Sequence, residues 1–459
     1  MSPVPRLSHA ARAAALFAAA TLVACGGSSG ARGGNVPPPP RIDKPSGTAG
    51  KPEPKREVAK DTRDDYNAAL QSWTATDKAR GWTDATCRQA AERFAQVARA
   101  HPDIVEAQYM VGLSYHRCGQ VDDAERAYQQ AIKQKPDHGL SLSNLGELYY
   151  RAGKVNEARQ YWEAAIKANG KLTGAHLNLA SLQLEQLRKM GNAKDPAWKK
   201  LEEEARFHLS SVLGVNADSV AAYTLYGLIY MEGAQLNRNR LDLAKLLLEE
   251  GKKRDENYAP LQNALGLFHM RRNALNDAFQ AFSNAVKADP KFLEARINVG
   301  VLTLGFRRYD TAKEMFTKAL ELAPRSYDAH IGLGVALRGL KDLDAAEQVY
   351  KKARDLDAKR GDAYYNLAIL YKDFRAPKSA DQASISAYQQ ARDYFNQFLG
   401  AQGDAADKAE AKEQIALIDK TVSRLQSVLK AAASQPAAPP AAPPAAPPAP
   451  AGADAPKSN

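Results

Sequence analysis

Apolar residues recur along most of this chain at three- and four-residue intervals, the period of a helix that buries one face. A longer period of 34 residues, marked by small side chains, is laid over it. From Gly112 it runs through Ala124, Ala131 and Pro136, then restarts at Gly146 with Ala158, Ala165 and Gly170. Three more units begin at Gly266, Gly300 and Gly334, with Ala278 and Ala285, Ala312 and Ala319, and Ala346 and Ala353 in the matching places. A large apolar residue precedes each glycine (Val111, Leu145, Leu265, Val299, Leu333), and an aromatic falls late in each unit (Tyr128, Trp162, Phe282, Phe316, Tyr350). Each unit predicts two helices whose small residues let the backbones approach while the ring fills the groove beside the contact. Proline after the second helix stops it and turns the chain. Glycine inside a helix costs up to about 1 kcal/mol, so its recurrence predicts close packing at those points.

Around these units the period stretches. Between Leu172 and Ala259 two longer units are legible, with Ala180 matched by Ala205 and Gly227 by Ala244. Another follows Arg360, interrupted by an insertion at 375–383, and a degenerate hairpin at 66–78 and 84–101 opens the array. Ile415, Ile418, Val422, Leu425 and Leu429 then form one apolar stripe on a closing helix. No single hairpin buries its apolar face, so the units must stack. The expectation is an all-α solenoid of about nine hairpins over residues 61–403, ended by a capping helix at 404–430.

The two ends read differently. Arg6 and Arg12 precede an apolar run, Ala13 to Ala24, too short for a permanent membrane span, so residues 1–24 predict a signal peptide. The run closes on Leu22-Val23-Ala24-Cys25-Gly26, which resembles the bacterial lipobox. That resemblance implies a lipid on Cys25, and Gly26 in place of an aspartate implies the periplasmic face of the outer membrane. Residues 25–60, rich in Gly, Ser, Pro and charge, predict a disordered tether, and the Ala-Pro repeats of 431–459 a disordered tail. The net charge of +11, with 44% hydrophobic and 25% charged residues, suits a folded chain. Its basic residues are not interleaved with aromatics, which argues against nucleic acid as a partner.

The repeat resembles the tetratricopeptide repeat at its glycine, alanine, aromatic and proline places, from about Asp61 to Gly400. The resemblance implies a right-handed superhelix whose first helices line a concave protein-binding groove, with no cofactor and no catalysis. It further implies that asparagines just before the large apolar position pair with the backbone of an extended ligand. Asn144, Asn178, Asn298 and Asn366 hold that place, with Tyr109 and Tyr365 beside them on the groove. An amide carries both donor and acceptor and so suits a peptide bond, but it equally suits a bond within the solenoid. The layout of lipobox, basic Pro-rich tether, irregular central repeats and Ala-Pro tail resembles tetratricopeptide lipoproteins of the myxobacterial gliding-motility machinery. That implies a scaffold linking envelope proteins. The alternatives are a lipoprotein assisting outer-membrane protein or pilus assembly, and a subunit of an envelope-polymer enzyme.

Catalytic and metal chemistry find no footing in the sequence. Gly26-Gly27-Ser28-Ser29-Gly30 matches the nucleophile pattern of hydrolases but has no strand before it. The eight histidines fall at no metal-ligand spacing, and no phosphate-loop sequence occurs. Two further cysteines remain. Cys87 lies near the start of one predicted helix and Cys118 near the end of the next, which runs antiparallel to it. In an oxidising compartment that juxtaposition predicts a disulfide, against the alternative of two separate buried thiols.

Overall fold

The computed structural model describes residues 60–433 apart from 80, 238, 378, 380 and 404. The expected signal peptide, Cys25, the expected tether up to residue 59 and the Ala-Pro tail from residue 434 lie outside these residues, while Lys60 opens the first helix and residues 431–433 extend the last one. Among the described residues nine helical hairpins follow one another: α1 (Lys60–Lys78) with α2 (Asp84–Ala100), α3 (Val105–Arg117) with α4 (Val121–Gln134), and α5 (Gly139–Arg151) with α6 (Val155–Ala168). Then come α7 (Thr173–Met190) with α8 (Pro196–Val215), α9 (Val220–Glu232) with α10 (Asn239–Arg254), and α11 (Ala259–Arg271) with α12 (Leu275–Ala288). The array ends with α13 (Leu293–Gly305) and α14 (Tyr309–Leu322), α15 (Tyr327–Gly339) and α16 (Leu343–Leu356), α17 (Asp362–Ile369) and α18 (Gln382–Gly400), and a last helix, α19 (Ala405–Ala433). The described residues contain no strand, and the fold is the all-helical hairpin solenoid that the repeat predicts.

The 34-residue spacing has a steric cause. A Cβ placed on Gly112 would lie 2.6 Å from the ring of Tyr128, and one on Gly266 2.5 Å from that of Phe282. Those rings, with Trp162, Phe316 and Tyr350, are almost wholly buried, so each glycine is the space its own hairpin's aromatic occupies. A second device repeats with the same period. Gly119, Gly153, Asn273, Arg307 and Lys341 all adopt left-handed backbone just after a first helix, each seven residues beyond the repeat glycine. Such a residue ends the helix and redirects the chain, and a glycine accepts that conformation without strain.

The irregular units depart from this scheme where their sequence does. Gly191 caps the long α7 in left-handed backbone, and Asp195 caps α8 ahead of Pro196. Helix α17 runs into a π-type turn, Leu370–Arg375, directly ahead of the segment expected as an insertion at 375–383. A short bridge, with Gln402 N–H donating to Lys359 O at 2.7 Å and Gly361 N–H donating to Gln402 O at 2.9 Å, ties the end of α18 back to the start of α17. Ile418 and Val422 of α19 are buried against α17 and α18, with Ile415, Leu425 and Leu429 packed around them, which closes the last apolar face. No described helix is long and apolar enough to cross a membrane.

Candidate functional site

First helices stack on first helices: α5 on α7, α7 on α9, α9 on α11, α13 on α15 and α15 on α17. Second helices sit outside them, wedged between consecutive first helices. The first helices therefore make the inner wall, and whatever their side chains present there is the candidate binding surface.

Tyr109, Asn144, Asn178, Asn298, Asn366 and Tyr365 are all buried, and most spend their polar atoms inside the solenoid. Asn144 Nδ2 donates to the hydroxyls of Tyr109 at 3.3 Å and Tyr128 at 3.1 Å. It thereby ties α5 to both helices of the preceding hairpin. Asn298 Nδ2 donates to Asn263 Oδ1 at 2.8 Å, joining α13 to α11. Asn366 Oδ1 accepts from Arg338 Nη1 at 3.1 Å while its Nδ2 donates to Asp362 O at 2.9 Å. The Tyr365 hydroxyl donates to Glu410 Oε1 at 3.1 Å, and its ring meets Phe395 and Phe398 edge-on. Asn178 is 8% exposed on α7. Asn144, Asn298 and Asn366 thus make bonds within the solenoid, as the internal reading of these amides expects. Buried amides must be paired, and Asn144, Asn298 and Asn366 each find a partner in the preceding repeat.

The surface left between them is amphipathic. Met270, Val301 and Ile369 are half-buried on α11, α13 and α17, and Arg271 is exposed at the end of α11. Near the middle, Arg188 Nε and Arg271 Nη2 grip the two oxygens of Glu232 at 2.8 and 2.9 Å, linking α7, α9 and α11. Burial works against the Glu232 charge, but the two guanidiniums outweigh it and hold the carboxyl below its ordinary value. Arg188 Nη1 is buried without a hydrogen-bond partner. The sequence carries part of this signal, because Arg117, Arg151 and Arg271 each stand five residues after a repeat glycine. Arg188 belongs to the overlong α7 and falls outside that register.

Cys87, in the first turn of α2, and Cys118, directly after α3, are joined as a disulfide with Cα atoms 6.4 Å apart. Among the described residues, no group of three or more histidine, cysteine or acidic side chains is placed to hold a metal.

The tetratricopeptide repeat profile matches residues 86–139, 117–173, 143–193 and 300–370. Residues 86–193 and 300–370 carry tetratricopeptide repeats. Among solved structures, the yeast Tom70 crystal structure is similar at 15% identity over 78% of this chain and 68% of that one, with a TM-score of 0.44. YrrB, a TPR protein with an unusual peptide-binding site, is similar at 17% identity over 45% of this chain and 97% of its own, with a TM-score of 0.34. Pseudomonas aeruginosa pilF follows at 16% identity over 51% of this chain and 99% of its own, with a TM-score of 0.38. No curated protein matches the sequence. Arrays of this kind are protein-interaction scaffolds and are generally not catalytic.

Proposed function

We propose that the chain is a lipid-anchored scaffold of the cell envelope that holds a protein segment against its inner wall and serves a gliding-motility machine from the periplasmic face of the outer membrane. The observation that carries the binding part is the inner wall itself: half-buried Met270, Val301 and Ile369 beside the Arg188–Glu232–Arg271 cluster. A wall of that kind suits an amphipathic helix or extended segment, with apolar anchors in the groove and a carboxylate near the arginines. The buried asparagines keep the repeats in register behind it. Anchoring rests on the lipobox around Cys25, where several acyl chains, each buried CH2 worth about 0.8 kcal/mol, would hold the protein on the membrane.

A photo-crosslinking residue placed in the full-length chain at Met270, and at Lys318 on the outside of α14 as a control, tests both parts in cells. Adducts with one motility protein at Met270, absent at Lys318 and lost together with membrane fractionation in Cys25→Ser, are the expected outcome. Equal adducts at both places would refute the groove. Barrel-assembly or pilus proteins in the adducts would move the scaffold to those machines.

A further inference from the structure

A hollow of about 420 Å3 opens where α6, α7 and α8 meet, between two consecutive second helices rather than on the inner wall. It lies where the regular spacing gives way to the overlong hairpin, whose helices have 18 and 20 residues against 13 and 14 in the one before. Leu179 and Leu182 of α7 supply apolar lining. Glu163 of α6 and Glu203 and Glu204 of α8 line it with carboxylates, against the single guanidinium of Arg159. Glu202, one residue earlier, is taken up by Arg240, but no ion pair closes on the three lining glutamates among the described residues.

Three neutral side chains line the same space. Gln183, only 6% exposed, lines it with a carboxamide whose Oε1 has no hydrogen-bond partner, while its Nε2 reaches Glu204 Oε2 at 3.5 Å. Phe207 lines it with a ring that is 64% exposed, an unusual position for so apolar a side chain. His208 is the third. Its Nδ1 lies 2.9 Å from His176 Nδ1, and His176 Nε2 lies 3.1 Å from Gly170 O. A carbonyl only accepts, so neutral His176 carries its hydrogen on Nε2 and offers a lone pair at Nδ1. His208 must then donate from Nδ1, which leaves its Nε2 an acceptor.

We infer that this hollow is a second docking point, separate from the inner groove, and that it receives the side chain of an arginine from a partner protein. Three carboxylates attract a cation and repel an anion. Gln183 Oε1 and His208 Nε2 are acceptors, and a guanidinium brings five N–H donors in a planar fork. The Phe207 face receives that plane by cation–π contact, while Leu179 and Leu182 cover the methylene stem. A metal ion would need converging ligands that these side chains do not provide.

The probe is a capped five-residue alanine peptide with a central arginine, titrated into the full chain by calorimetry beside the same peptide bearing citrulline, which keeps the shape and loses the charge. The arginine peptide should bind on the order of tenfold tighter, and weaken as salt rises. The double variant Glu203→Gln with Glu204→Gln should abolish that preference, as should Phe207→Ala in part; all three side chains are exposed, so circular dichroism should stay unchanged. Met270→Lys, on the inner wall, should leave it intact. Equal binding of the two peptides, or arginine binding unaffected by the Glu203/Glu204 variant, overturns the assignment, and loss on Met270→Lys would transfer the site to the groove.

Discussion

His208 donates its Nδ1 hydrogen to Nδ1 of His176 across 2.9 Å, so α8 is fastened to α7 by two rings that share one proton. A second proton there has no lone pair to receive it. Burial pushes the His208 imidazole down to about 4, with His176 adding to the effect, and burial lowers His176 as well. The folded values lie below the unfolded one near 6.5, so the unfolded chain takes up protons first as the pH falls. Stability from this pair is complete above about pH 6.5 and is lost as the pH drops toward 4. His138, also pushed down to about 4 by burial, acts in the same direction. Melting temperature should fall between pH 7 and 5, and His208→Gln should fall less steeply. Parallel pH profiles in scanning calorimetry would contradict the assignment.

Glu294 gives the opposite sign. It is 4% exposed in the first turn of α13, and burial, with the nearby Asp289 charge, pushes its carboxyl up to about 7. A raised folded value favours the neutral acid, so its contribution is present below about pH 4.5 and is lost as the pH rises through 7. Glu294→Gln keeps the shape without the charge. The variant should gain on the order of 2 kcal/mol at pH 8 and almost nothing at pH 5, read from urea unfolding. A loss at pH 8 would mean that the hydrogen bond from its own backbone N–H outweighs the cost of burial.

The regular hairpins were legible in the sequence because their cause is local and steric. Gly266 and Phe282 stand sixteen residues apart in one hairpin and meet there, so their spacing alone announces the contact. The asparagines were legible as positions but not as roles: whether Asn298 faces a ligand or Asn263 depends on how far one first helix rotates against the next, which no spacing states. The Arg188–Glu232–Arg271 cluster and the hollow beside Phe207 draw on the overlong α7 and α8, where the period breaks and register gives no guide.

The two repeating devices predict opposite responses to small substitutions. Gly266→Ala drives a methyl into the buried Phe282 ring and should cost about 1–3 kcal/mol. Lys341→Gly relieves left-handed backbone at φ 66° and should gain roughly 0.5–1 kcal/mol. Chemical denaturation of both variants checks the pair, and a stabilising Gly266→Ala would refute the packing argument.

Reduction should loosen the front of the array. The Cys87–Cys118 bridge spans a sequence separation of 31 residues and clamps the first hairpin, which among the described residues has a neighbour on one side only, to the second. Closing such a loop stabilises by about 3–4 kcal/mol in the chain-entropy account. Reductant, or Cys87→Ser with Cys118→Ser, should lower the first melting transition and speed amide exchange in α1 and α2, with α13–α16 unaffected. Two freely alkylated thiols in protein kept from reductant would rule the bridge out.

Asn144 separates a structural role from a binding one. Its amide meets two buried hydroxyls, Tyr109 and Tyr128, and Tyr128 is also met by His116 Nδ1 at 3.3 Å, so Tyr109 depends on Asn144 more than Tyr128 does. Asn144→Ala strips both contacts at a site only 2% exposed and should cost about 1–3 kcal/mol, the penalty for buried polar groups left unpaired. Tyr109→Phe removes one of those orphans in advance. In the double variant the loss should be smaller than the sum of the two single losses, by roughly 0.5–1 kcal/mol. If Asn144 instead served an extended ligand directly, the two changes would add in stability, and Asn144→Ala would abolish crosslinking from Met270 while leaving the unfolding midpoint in place.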